Sequence, residues 1–298
     1  MEKFVKFVKK YIVNTWLGDL LVNEVRIRRI DERLYDGKMK RQYKQDAVFP
    51  TSEMLEEREY FKENRRQILK NLSYLSDDES KECYKQIIKY RCTHKAEQAP
   101  RNSGQSYFVE PIIRFSDHEV FIDGGGFVGD TVKEFYRLVH GRYRRIVSFE
   151  PDTYNYKMLS KIKYKNFYAV CSALWNSSTT LKFFNNMSVG SKVVNDWGGG
   201  AGNNIVEIKA EKLDELSICK DATFIKLDVE GAELAALQGM KNTIMKNKPQ
   251  MAICLYHSKE DMLQLIEYVH SLVPEYSLYV RHHSKFTAET VLYATVLS

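Results

Sequence analysis

Cysteine is scarce and scattered in this chain. The five present, Cys83, Cys92, Cys171, Cys219 and Cys254, are odd in number and form no C-x-x-C pair. That spacing argues against a disulfide framework and a cysteine-based zinc site, and it suits a reducing, cytoplasmic compartment. No block of Lys or Arg stands out. Net charge is +6, from 45 basic and 39 acidic residues among 298, so nucleic acid is not an expected partner. Long apolar runs are missing too. In the opening "MEKFVKFVKKYIVNTWLGDLL", Lys3, Lys6, Lys9 and Lys10 interrupt the apolar residues, which fits neither a signal-peptide core nor a membrane span. Phe4, Phe7, Val8, Tyr11 and Ile12 instead recur at helical spacing. Such a face packs on its own chain or on a second subunit, or rests on a membrane surface as a basic amphipathic helix.

Strand signal is almost absent from residues 1–104, which are rich in Lys, Arg, Glu and Tyr. "TSEMLEEREYFKENRRQILKNL" opens with capping-box chemistry at Thr51 or Ser52, and Ser76-Asp77-Asp78 is N-cap material before Cys83, Tyr84, Ile87 and Ile88. Three to five helices are predicted here, followed by a polar connector over 93–106. The second region, 105–298, alternates strands and helices. Its apolar runs are Val120–Ile122, Ile146–Phe149, Phe167–Val170, Phe224–Leu227, Met251–Tyr256, Ser277–Val280 and Thr290–Leu297. Helical patterns at Thr131–Val139, Tyr154–Ile162, Glu233–Met245 and Glu260–Leu272 separate several of them. The order predicts an α/β fold: a mostly parallel, Rossmann-like sheet covered by helices, with an antiparallel hairpin at its C-terminal edge.

The junction "HEVFIDGGGFVGDTVKEF" carries the first functional signal. A strand delivers the chain to Asp123; Gly124, Gly125 and Gly126 allow a tight turn and close approach of a ligand to the backbone. Gly124, Gly126 and Gly129 fit G-x-G-x-x-G, with a strand before and a helix after. A glycine-rich turn that binds nothing is the plainer alternative. Glu150, at the tip of the second strand, adds weight, since an acid there hydrogen-bonds ribose hydroxyls in nucleoside-binding sheets. Pro151 after it pre-sets a helix start. Both a dinucleotide and S-adenosylmethionine suit such a site. A carboxylate at Asp123 repels a pyrophosphate but is compatible with the cationic amino and sulfonium groups of S-adenosylmethionine.

"VFIDGGGFVGDT", "SFEPD", "FIKLDVEGAELAALQGM" and "ICLYHSKEDM" together resemble the FkbM family of S-adenosylmethionine-dependent methyltransferases, over about 118–298. The Asp-Val-Glu-Gly-Ala-Glu run at 228–233 is the most specific part; "QSYF" at 105–108 is similar to an upstream segment of some members. Many members carry Ala-Asn where this chain has Gly126-Phe127, which puts an apolar side chain in place of a polar one. The resemblance implies an S-adenosylmethionine site built from Asp123, Gly124, Gly125, Gly126, Phe127, Gly129, Glu150, Pro151, Ser172 and Asp228. It also implies an O-methyltransferase whose acceptor is a hydroxyl of a sugar, glycan or other small metabolite.

Methyl transfer to oxygen needs an aligned acceptor and a group that removes its proton. Asp228, Glu230 and His257, at the ends of the fourth and fifth apolar runs, are the catalytic candidates. His257 is taken as the base because an ordinary imidazole ionises near neutrality; Asp228 orients the acceptor or contacts the cofactor. Each has a bland reading as well: a hydrogen-bonded loop histidine, a helix-capping glutamate. Asp228 is the rival base, acting alone or through a divalent cation held by Asp228, Glu230 and His257 that acidifies the acceptor hydroxyl; carboxylate spacing is a weak metal signal, and the expected site includes no metal. His282 and His283 are candidates at its margin, Trp175 and Trp197 are stacking surfaces or core residues, and Gly198–Gly202 is a lid hinge or an ordinary loop. An NAD(P)-dependent sugar oxidoreductase or epimerase is the competing enzyme, disfavoured by Asp123 and by the lack of a placed Tyr-x-x-x-Lys pair. A non-catalytic nucleoside-binding scaffold is the other competitor.

Overall fold

A computed structural model describes residues 52–93, 98–104, 106–184, 192–193 and 205–296. The expected N-terminal amphipathic face at Phe4–Ile12, Thr51, Gln105, Trp197 and Gly198–Gly202 lie outside them. Among the described residues, helices α1 (Ser52–Glu63), α2 (Arg65–Tyr74) and α3 (Asp78–Thr93) come first. Strand β1 (Val120–Gly124) leads to α4 (Asp130–Leu138), β2 (Arg145–Phe149) to α5 (Thr153–Leu159), and β3 (Phe167–Val170) follows. Then come β4 (Ala173–Leu174), β5 (Thr179–Phe184), β6 (Lys192–Val193) and β7 (Ile205–Glu211). The chain closes with β8 (Phe224–Leu227), α6 (Glu233–Gly239), α7 (Lys241–Asn247), β9 (Gln250–Cys254), α8 (Asp261–Leu272), β10 (Ser277–His282) and β11 (Thr290–Thr295).

Among the described residues, the main sheet has seven strands in the order β3-β2-β1-β8-β9-β11-β10. Pairing is parallel from β3 to β9, and β11 runs antiparallel to both β9 and β10. This is the expected sheet with its C-terminal hairpin. The chain reverses its direction of travel between β1 and β8, and the crevice beyond their carboxyl ends is where open α/β sheets bind ligands. Gly124 faces Phe149 on one side and Leu227 on the other, so three strand ends converge there. Strands β1 and β8 are buried along their whole length, so their residues are apolar apart from Asp123 and Lys226.

Helices cover both faces. Val132 and Phe135 of α4 pack with Phe108, Phe121 and Phe224 in an aromatic cluster. On the opposite face, Phe61, Tyr84 and Ile87 of α1 and α3 share one core with Ile225, Ile253, Leu265 and Val280. The N-terminal helices also close the free edge of β10. Leu278 N donates to Ser76 Oγ at 3.0 Å, Val280 N donates to Ser80 Oγ at 3.0 Å, and Arg281 pairs with Asp77 at 2.7 Å. An exposed edge strand is thereby protected.

Two features depart from the sequence reading. The helix expected over Glu233–Met245 is two helices, broken at Met240. Asp214, from a 3₁₀ turn, accepts from Asn242 N and Thr243 N at 2.9 Å each and so starts α7 afresh. A second sheet, β4-β7-β5-β6, occupies a stretch where no strand was expected. Its longest member, "IVEIKAE", alternates apolar and charged residues, the period of a half-exposed strand.

Candidate active site

The glycine turn is shaped first by protein packing. Gly125 N and Gly126 N both donate to Phe149 O, at 3.0 and 2.9 Å, which folds the turn over the end of β2. Gly125 has φ +79°, and a Cβ there would overlap the carbonyl oxygen of Asp228. A Cβ at Gly126 would overlap the Ser148 hydroxyl. The close approach expected at Gly125 therefore exists, but to the backbone after β8. Gly129, at φ +80°, turns the chain into α4, and Phe127 sits at φ +44° with its N–H donating to Glu150 Oε2 at 2.8 Å.

Beneath the turn lies a fully buried ion pair. Asp123 is 0 % exposed; its Oδ2 accepts from Ser148 Oγ at 2.6 Å and its Oδ1 lies 3.2 Å from Lys226 Nζ. Lys226 also donates to the carbonyls of Gly124 and Gly125, at 3.1 and 2.6 Å. Burial works against its charge, but Asp123 and Asp228 outweigh burial and raise its pKa. Asp123 thus faces a lysine rather than an open site, a partner the sequence reading did not foresee.

Glu150 stands at the tip of β2, its Oε2 bonded to Phe127 N and its Oε1 accepting from Asp152 N at 2.8 Å. Burial pushes its carboxyl up to about 7, against the two backbone N–H groups. Pro151 precedes Asp152, whose Oδ1 caps α5 by accepting from Tyr154 N and Asn155 N. Two buried polar atoms at this edge have no hydrogen-bond partner among the described residues: Ser172 Oγ, beyond β3, and Asp152 Oδ2. Orphaned polar atoms beside a ribose-type acid are what a nucleoside cofactor satisfies, so Glu150, Ser172 and the glycine turn fit S-adenosylmethionine.

Asp228, just past β8, is the centre of the other half. Tyr107 donates to its Oδ2 at 2.8 Å, Tyr256 to its Oδ1 at 3.1 Å, and His257 Nε2 lies 3.3 Å from Oδ1. Burial alone would raise the Asp228 pKa; His257, Lys226 and Tyr107 reverse that and hold it well below the usual range. His257 is 9 % exposed in its side chain and has an acid at each ring nitrogen: Asp228 at Nε2, and Glu233 Oε1 2.9 Å from Nδ1. Glu230 Oε2 is 3.7 Å from Nε2. Burial lowers the imidazole pKa, but Glu233 and Asp228 overcome it and raise it well above the ordinary value. The ionisation near neutrality expected for His257 therefore does not suit this environment. Glu230 and Gly231 both adopt positive φ, at 55° and 92°, which turns the chain back so that Glu233 enters beneath His257.

The three expected catalytic residues are brought together. Glu233, the last acid of the 228–233 run, joins them, and so do Tyr107 and Lys226, neither of which was a catalytic candidate. Lys226 had a signal, a lone lysine between apolar neighbours in "FIKLD"; Tyr107 had none beyond its place in "QSYF". The N-terminal helices reach the site as well: Arg91 of α3 donates to Tyr256 O at 3.1 Å and is held by Glu57 of α1, both side chains being buried. His282 and His283 stay out. His282 bonds Thr290 Oγ1, and His283 touches the site only through Tyr293, whose hydroxyl accepts from Tyr107 N. Trp175 packs near Ala173 and Ile208.

The Methyltransferase FkbM domain matches residues 123–277. Among solved structures, Methyltransferase FkbM from Methylobacillus flagellatus KT superposes with TM-score 0.66 at 24 % identity, covering 78 % of this chain and 59 % of that one. The chain thus spans about three-fifths of that relative. Precorrin-6y C5,15-methyltransferase from Geobacter metallireducens GS-15 is more distant, at TM-score 0.38 and 11 % identity, covering 65 % of this chain and 93 % of that one. No curated protein matches the chain.

Proposed function

The chain belongs to the FkbM family of S-adenosylmethionine-dependent methyltransferases, and we propose that it methylates a hydroxyl oxygen of a sugar, a glycan or another small metabolite. Family membership replaces the oxidoreductase and scaffold alternatives. S-adenosylmethionine supplies an activated methyl group. The turn 124–126, Glu150, Ser172 and Asp152 hold the nucleoside end, and Asp228 stands between that turn and the acceptor side.

One observation supports an oxygen acceptor above others. Asp228, Glu230 and His257 form a tight acid–imidazole group directly beyond the strand ends. An alcohol has a reluctant proton, and such a group orients the hydroxyl and takes that proton as the new bond forms. With carboxylates on both sides of His257, removal of the proton falls to this group as a unit. The free cysteines fit a cytoplasmic setting. Among the described residues no helix is long and apolar enough to cross a membrane.

The test is a labelled-methyl transfer screen against sugar nucleotides, cell-envelope glycans and small alcohols, each paired with its deoxy analogue. The hydroxyl compound should accept label and the deoxy analogue should not. Asp228→Asn should lower transfer by about 10²–10⁴-fold. Label appearing on an amine or a carboxylate instead would overturn the proposal.

A further inference from the structure

The geometry points to a divalent-cation site formed by Asp228, Glu233 and His257. One ligand-type atom from each of the three lies within 4.8 Å of the others. An ion with bonds of about 2.0–2.3 Å spans such a set. The cation set expected from the sequence is Asp228, Glu230 and His257; the fold puts Glu233 in the place of Glu230.

A second observation concerns what these atoms lack. Glu233 is 0 % exposed; Val229 N donates to its Oε1 at 2.9 Å, but its Oε2 has no hydrogen-bond partner among the described residues. Neither ring nitrogen of His257 makes an aligned hydrogen bond, although acids stand 2.9 and 3.3 Å away. A buried carboxylate oxygen without a donor is costly. A cation supplies the missing partner to Glu233 and His257, with Asp228, already accepting from Tyr107 and Tyr256, as the third ligand. The surrounding charge favours this. Glu230 and Asp261 add to Asp228 and Glu233 around one imidazole, while Lys226, the nearby cation, is bound to Asp123 and two carbonyls.

Two carboxylates and one imidazole, with no thiolate among them, suit an ion of the Mn²⁺ type better than a soft metal. Three protein ligands leave coordination positions open. This role rests on the proposed O-methylation. The acceptor oxygen would bind the ion, and its proton would pass to the Glu230 carboxylate, outside the ligand set. The oxygen then bonds the methyl carbon as the S–C bond breaks and leaves its electron pair on sulfur.

The test is Mn²⁺ titration of chelator-stripped, full-length protein, followed by loss of the free-ion electron paramagnetic resonance signal. No acceptor is needed, so the outcome is independent of the methylation proposal. One ion should bind per chain. Asp228→Asn, His257→Ala and Glu233→Gln should each weaken binding about 10-fold or more, while Glu230→Gln stays within about threefold. Far-ultraviolet circular dichroism checks folding, and Asp228→Asn and His257→Ala decide the matter if Glu233→Gln does not fold. No signal loss up to millimolar Mn²⁺, or loss unchanged in those variants, would overturn the site.

Discussion

Lys226 Nζ lies 3.2 Å from Asp123 Oδ1 directly under the glycine turn, with both side chains excluded from solvent. Removing one partner of a buried pair leaves an uncompensated charge and costs about 3–5 kcal/mol. Lys226→Met should therefore lower stability by that amount in urea denaturation and weaken S-adenosylmethionine binding, since the carbonyls of Gly124 and Gly125 lose their donor. Adding Asp123→Asn should restore much of the stability. A double variant no better than Lys226→Met would contradict the pairing.

Gly125→Ala tests what the glycine is for. Its φ of +79° and the overlap with Asp228 O make any side chain strained. The substitution should displace Asp228 as well as the turn, so turnover should fall together with cofactor affinity. A variant that binds S-adenosylmethionine poorly yet keeps its turnover at saturation would instead place the conflict with the cofactor alone.

Arg91 links the N-terminal helices to the loop carrying His257 through its bond to Tyr256 O. Arg91→Lys keeps the charge but loses the guanidinium fork. Turnover should drop several-fold with cofactor affinity nearly unchanged, as read from kcat against the calorimetric Kd. Equal loss of both would mean a general loosening of the fold.

His282 and His283 are buried as neutral rings, and burial pushes each down to about 4. Their folded pKa lies below the unfolded value of about 6.5, so the unfolded chain takes up protons first as pH falls. Their contribution to stability is intact above about pH 6.5 and is lost towards pH 4. Glu150 and Asp261, raised to about 7 and about 6, pull the other way. Comparing His282→Gln with the parent isolates the histidines: its urea midpoint should fall less between pH 7.5 and pH 5. An equal fall would contradict the assignment.

The parallel strands were legible because β1, β2, β8 and β9 are buried and therefore mostly apolar, with Asp123, Ser148 and Lys226 as the buried exceptions. Acids at their tips, Asp123, Glu150 and Asp228, marked the ligand edge for the same reason: a charge ending an apolar run has few places to go. What each acid touches was not legible. Asp123 and Lys226 meet across adjacent strands, Tyr107 and Asp228 across 121 residues, and Arg91 and Tyr256 across 165. Local pattern carries no information about such pairings. The break at Met240 likewise depends on Asp214, which lies before β8.

The most direct measurement is calorimetric titration of S-adenosylmethionine into the parent protein and Glu150→Gln between pH 5.5 and pH 8.5. The parent should bind one equivalent, with affinity rising as Glu150 ionises near pH 7 and accepts the ribose hydroxyls. Glu150→Gln should bind about ten- to a hundred-fold more weakly at pH 8, the equivalent of about 1.5–3 kcal/mol for a charge-assisted hydrogen bond, and its affinity should be flat across the range. Unchanged affinity in the variant, with the same pH profile, would remove the cofactor from the β1–β2 edge and contradict the account.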